Sequence, residues 1–278
     1  MIIHRRTHSR VLVLAAVLIV VVAAPAATDD QPAHGLKPIL DYISNSWDTL
    51  TRSMTDCQTI VDPKIKAQAV LYVPFHFPAP PAVLAMSSKC NVQVKELPME
   101  IHHLGEITAG DQDPSGVLYL PNKYVVPGGR FNEMYGWDSY FIIRGLLASG
   151  RVDQARGMVD NFLFEIENYG AMLNGNRSYY LTRSQPPFVS SAFVDVYQAM
   201  LDAKQTPDKA WLERAYDDVR KDYKMWTSDP HLAGDTGLSR YFDFGEGPPA
   251  EALKDETGIY RKVAEYFFFQ RVVLLLSF

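Results

Sequence analysis

The chain has 278 residues, a formal net charge of −5, 47% apolar residues and two cysteines. That length holds one large domain or two small ones, with enough apolar side chains for a sizeable core. Mild acidity, with no basic stripe, zinc-ligand spacing or basic-plus-aromatic cluster, argues against nucleic acid as a partner, and no metal or nucleotide motif occurs in the sequence.

Arg5, Arg6 and Arg10 precede an apolar run from Val11 to Ala24, which is followed by the small residues Pro25 and Ala26. This is the layout of a secretory signal peptide over residues 1–26, and the run is short of the roughly 20 apolar residues that a spanning helix needs. The expectation is therefore a periplasmic or secreted protein with no stable membrane span after cleavage; an uncleaved anchor is the alternative. Polar residues 28–35 read as a linker. From Pro38 to Met54, the side chains of Ile39, Tyr42, Ile43, Trp47, Leu50 and Met54 recur at helical spacing, with proline in the first turn. Cys57 and Cys90 either pair or remain thiols, and the spacing leaves both readings open. Residues 67–126 are punctuated by Pro74, Pro78, Pro80, Pro81, Gly105, Gly110 and Gly116, which reads as extended loops wrapping a scaffold. His102 and His103 do not make a metal pair, because adjacent side chains on an element point apart.

The stretch from Pro127 to Tyr140 is the richest in chemistry. It gathers the paired Gly128 and Gly129, the guanidinium of Arg130, the carboxylates of Glu133 and Asp138, and the rings of Phe131, Tyr135, Trp137 and Tyr140. A fork of donors, an acceptor pair and a flat indole suit a polyhydroxylated ligand such as a sugar. The same residues also suit a loop whose Arg–Asp pair locks a helix start. Helical stripes follow: Tyr140, Phe141, Ile143, Leu146 and Leu147 up to Gly150, then Val152 through Ile166 up to Gly170. After a loop over 174–185, a third helix is expected from Pro186-Pro187, carrying Phe188, Phe193, Val194, Tyr197 and Met200. Thr206-Pro207 reads as the cap of a fourth, with Trp211, Ala215, Val219, Tyr223 and Trp226 on one face. A loop over 241–247 and a helix over 260–268 precede an apolar, uncapped end at 270–278.

Residues 127–140 resemble, position by position, the first signature of the trehalases, the glycosidases that split trehalose into two glucoses. Residues 174–188 are similar to the next block of that family. The likeness runs from about Leu36 to about Phe268. It implies an all-α fold, an (α/α)6 toroid that is incomplete here, with about half its helices and an irregular proline-rich N-terminal loop region. Residues 27–278 would be the N-terminal part of the catalytic domain, with an atypical tail over 269–278 that reads as a truncation or a change of reading frame near Phe269. The resemblance assigns substrate binding to Arg130, Trp137, Asp138, Asn174, Arg183, Ser184 and Gln185. It assigns no catalytic residue, since the family's general acid and base fall beyond the end of this chain; in an inverting glycosidase those two carboxyl groups stand roughly 6.5–9.5 Å apart. Glu133 and Asp243 match neither. Trehalose is the implied partner, no cofactor is required, and the sequence gives no oligomeric state. The implied activity is inverting hydrolysis of trehalose, with this chain as an inactive or impaired fragment. A non-catalytic carbohydrate-binding remnant and an (α/α)6 glycosidase with another substrate are the alternatives.

Overall fold

The computed structural model describes residues 36–61, 68–108, 111, 114–246, 258, 261–263, 265 and 266. Contacts divide the chain into residues 1–40 and 41–278. Of the first unit only residues 36–40 are described, and 37–40 are helical. The signal-peptide stretch and the 269–278 tail lie outside the described residues.

Two antiparallel helical hairpins frame the second unit. Helix α1 (Lys37–Thr49) enters it, and Trp47 donates its indole N–H to Ser149 Oγ at 2.9 Å. Arg151 grips both oxygens of Asp48 at 2.6 and 2.9 Å, fixing α1 to the turn of the first hairpin. Tyr42 and Ile43, expected on the buried stripe, are exposed. Helix α5 (Gly136–Ala148) buries Ser139, Ile143 and Leu146, and α6 (Val152–Tyr169) buries side chains on almost every side. The reason is its position: α5, α7 and α8 all pack on α6. Helix α7 (Val189–Asp202) buries a narrow stripe of Val189, Ala192, Val196 and Met200. Helix α8 (Lys209–Trp226) starts at Asp208, whose carboxylate accepts the Ala210 N–H at 3.2 Å, rather than at Thr206. Connections at one end of the hairpins are short, at 149–151 and 203–208. Those at the other end, 126–135, 170–188 and 227–246, are long and bring every motif-bearing loop together.

Between α1 and α5 lie β1 (Thr51–Arg52), α2 (Cys57–Ile60), β2 (Val70–Val73), α3 (Pro81–Leu84), α4 (Met86–Cys90), β3 (Gln93–Glu96), β4 (Val117–Leu118) and β5 (Tyr124–Val125). Strands β3-β2-β4 form a parallel sheet, and β1 pairs antiparallel with β5. The region expected to be loops thus contains a small sheet. Val70, Leu71, Tyr72 and Val73 are all buried, as a strand covered on both faces requires. Cys57 and Cys90 form a disulfide, Cα–Cα 5.6 Å, joining the start of α2 to the end of α4. Residues 261–263, 265 and 266 of the last expected helix are helical. No helix among the described residues is long and apolar enough to cross a membrane.

Helix α8 also buries a carboxyl group, Asp222, whose Oδ1 has no hydrogen-bond partner among the described residues. Burial raises it from the usual 3.8 to about 7. A proton held more tightly by the folded than by the unfolded chain gives stability that is full below pH 3.8 and falls as pH rises towards 7. Asp222→Asn should flatten that decline. Urea unfolding at pH 5 and pH 8 should show the variant gaining on the parent at pH 8, by an amount on the order of a few kcal/mol; equal pH slopes for both would contradict it.

Candidate carbohydrate site

The two motif blocks are joined beneath the surface by a buried ion pair. Arg177 Nε donates to Glu133 Oε1 at 2.9 Å, and both side chains are almost wholly excluded from solvent. Arg177 Nη1 also donates to the Ile60 carbonyl at 3.2 Å, which ties α2 into the same knot. Next to it, Asn176 accepts the Met134 N–H at 2.8 Å and donates to the Leu118 carbonyl at 3.1 Å. Asn132 Nδ2 donates to the carbonyls of Gln58 and Val61 at 2.7 and 2.8 Å. Tyr135 and Gly175 form an antiparallel bridge above, and the Gly136 N–H reaches the Asn174 carbonyl at 3.3 Å. Gly136 is needed for that approach: a Cβ there would lie 2.9 Å from the Leu173 carbonyl and 3.1 Å from Gln185. Asn176, Arg177 and Ser178 are accordingly buried.

On this base the expected ligand residues take distinct places. Trp137, in the first turn of α5, is 42% exposed and leans on Phe141 and Phe188. Its backbone N–H donates to Gln185 Oε1 at 2.8 Å, so the Gln185 amide keeps its Nε2 donor for other partners. Asn174 Oδ1 accepts the Tyr241 hydroxyl at 3.1 Å, which likewise leaves Nδ2 as its spare group. Arg183 stacks over the Tyr180 ring at 4.8 Å and pairs through Nη1 with Asp243 Oδ2 at 2.9 Å. Asp138 puts a carboxylate in the first turn of α5. Burial raises its carboxyl above the usual carboxylate range, and its own backbone N–H opposes that rise. Ser184 is buried and gives its hydroxyl to the carbonyls of Met172 and Gln185, so it holds the loop in shape. Arg130 faces elsewhere. It is exposed, lies over Phe131, and borders a cleft of about 710 Å³ walled by Arg52, Asp56, Cys57, Gln58 and Asn132 and by none of the other six expected residues.

The two blocks thus present amide and guanidinium donors at Asn174, Gln185 and Arg183, and an exposed indole with a carboxylate in the first turn of α5. Groups of these kinds are complementary to a polyol, whose hydroxyls both accept and donate and whose C–H faces match an indole. Glu133, Arg177 and Asn176, which hold the blocks in register, were not among the expected residues. Their signal in the sequence is a charged pair inside motifs otherwise read for exposed chemistry.

The trehalase family model matches residues 29–267. The chain belongs to the trehalase family. It is 36% identical over 260 residues to the cytosolic neutral trehalase of Saccharomyces cerevisiae, covering 83% of this chain and 34% of that protein. With the cytosolic neutral trehalase of Emericella nidulans it shares 48% identity over 143 residues, 51% of this chain and 18% of the relative. The solved structure of the neutral trehalase Nth1 from Saccharomyces cerevisiae superposes with a TM-score of 0.71 at 34% identity, covering 83% of this chain and 47% of that one. The chain thus spans about a third of the length of curated relatives that match most of it. Its hairpins are part of the all-α (α/α)6 toroid of this family, here incomplete. These relatives also correct the expectation of export: several are named cytosolic enzymes, against a periplasmic or secreted destination.

Glu133→Ala tests the knot. It removes the carboxylate that Arg177 Nε bonds at 2.9 Å inside the protein, and urea unfolding should report a loss of about 3–5 kcal/mol. A loss under about 1 kcal/mol, typical of surface pairs, would show that the pair does not hold the blocks.

Proposed function

We propose that this chain carries a trehalose-binding surface and that the activity it serves is hydrolysis of trehalose to two glucoses with inversion. Membership of the trehalase family supports the reading, and one structural observation carries it. Trp137, Asp138, Asn174, Arg183 and Gln185, contributed by two blocks far apart in sequence, stand at one end of the hairpins with their spare hydrogen-bonding groups complementary to a polyol. We assign sugar contacts to these five, a loop-shaping role to Ser184, and to Arg130 an outer contact reached only if a ligand extends toward its own cleft. The acid and base of the inverting reaction are assigned to none of the residues described here; the part of the work given to these residues is grip and orientation. Bidentate and charge-assisted contacts fix a hydroxylated ring in one pose, which is the condition for a water to attack from the opposite face.

We place the protein in the cytosol, as its relatives' names state for them. A reducing cytosol keeps thiols unpaired, so the Cys57–Cys90 bond is then the oxidised form of a pair of positions whose Cα atoms lie 5.6 Å apart.

Titration calorimetry of the chain with trehalose, maltose and sucrose tests the reading. Trehalose should bind, the other two at least about tenfold more weakly, and Asp138→Asn or Arg183→Ala should weaken trehalose about 10–100-fold, as loss of a hydrogen bond to a charged group implies. Equal binding of all three sugars would favour a glycosidase of another specificity. No binding of trehalose at millimolar concentration would overturn the proposal.

A further inference from the structure

The loop over 241–245 lies across the sugar block and occupies two of its polar groups. Asp243 Oδ2 takes Arg183 Nη1 at 2.9 Å, while Asp243 Oδ1 accepts the Gly245 N–H at 2.8 Å. Tyr241 donates its hydroxyl to Asn174 Oδ1 at 3.1 Å. The backbone is fixed as well, through an antiparallel bridge between Arg183 and Asp243 and a Phe244 N–H bond to the Thr182 carbonyl at 3.0 Å. Phe244 in turn sits against Gly105, which adopts φ +88° and where a Cβ would lie 2.6 Å from the Phe244 Cβ. The loop is therefore anchored from both sides before it meets the site.

Two consequences follow for any ligand. An arginine has several rotatable bonds, and left alone its guanidinium samples many directions at an entropic cost to binding. Here the Tyr180 ring beneath it and Asp243 at one end hold the plane, while Nε is buried with no partner among the described residues. An asparagine amide can present either its oxygen or its nitrogen. Tyr241 claims the oxygen, so the group left over is the donor. The strap thus sets both the aim of Arg183 and the polarity of Asn174.

We propose that Tyr241 and Asp243 are positioning residues of the sugar site: without touching the ligand, Asp243 orients Arg183 and Tyr241 fixes Asn174 as a donor. This rests on the carbohydrate-binding reading given above. It assigns a role to a carboxylate that matches no catalytic position and explains why both of its oxygens are engaged inside the protein. It also makes the hydrogen-bond polarity of the site a property of the 241–245 loop as much as of the motif blocks.

The test combines trehalose calorimetry with the 15N–1H resonance of Arg183 Nε in the full chain, assigned by its loss in Arg183→Lys. Asp243→Asn should weaken trehalose about tenfold or more, with a melting temperature within a few degrees of the parent, and should shift the Arg183 Nε resonance. Asp243→Glu, which keeps the charge, should recover part of both, and Tyr241→Phe should weaken binding several-fold without moving Arg183. Unchanged affinity in Asp243→Asn, or a loss matched by a fall in melting temperature and not rescued by glutamate, would reduce the strap to a fold element and overturn the proposal. If the parent chain does not bind trehalose, the carbohydrate reading fails and the resonance still decides this one: a signal identical in parent and Asp243→Asn means Asp243 does not orient Arg183.

Discussion

A charged pair excluded from water is the constraint on which the rest depends. Arg177 and Glu133 come from the two motif blocks, and separating them breaks a hydrogen-bonded ion pair in the interior. Such a pair adds little net stability compared with an apolar substitute, and its 2.9 Å geometry is met in the register seen between the two loops. That register brings Tyr135 to Gly175, Gly136 to Asn174, and the Trp137 N–H to Gln185. Arg177 and Asn132 extend the same knot to the carbonyls of α2, so the irregular N-terminal region supports the site.

Above this base the site is simple in its electrostatics. Each side-chain amide has one end tied down inside the protein, and in both cases it is the oxygen. What remains towards a ligand is a set of donors and the carboxylate of Asp138. On the reading proposed above, such donors would meet hydroxyl oxygens and the indole the apolar face of a ring. The helices supply rigidity: α5 and α7 both begin at the site, and α6 is buried between them and α8, so the ligand groups stand on the ends of well-packed elements.

Much of this was legible in the sequence. The four long helices announced themselves through stripes such as Val152 to Ile166 and stop signals such as Gly150 and Gly170, because burial of one face imposes a 3.6-residue period. The two motif blocks were legible because unusual residues crowd together in them. The sheet was not: Val70 to Val73 is a strand, but four residues beside a run of prolines carry no period that separates a buried strand from a loop. The start of α8 was misplaced because Thr206-Pro207 and Asp208 offer competing caps two residues apart, and the Asp208 carboxylate reaches the Ala210 N–H. Within the site, Ser184 was assigned to binding by the family resemblance, and its hydroxyl bonds to the carbonyls of Met172 and Gln185. Arg130 sits in the right motif and faces another cleft. Glu133 and Arg177 stood in the motifs as charged residues, but nothing local shows that two groups 44 positions apart pair with each other. Export was inferred from the apolar run at 11–24, a composition-based signal that the cytosolic relatives overrule.

The most direct measurement of the central claim is native-state hydrogen exchange, followed at the amides of Met134, Gly136, Trp137, Asn174 and Arg183. If the buried pair makes the two blocks one unit, these amides open together at one common free energy, and Glu133→Ala accelerates all of them in step while amides in the middle of α8 keep their rates. Separate opening of the 134–137 and 174–183 amides, or acceleration of only one set by Glu133→Ala, would contradict it.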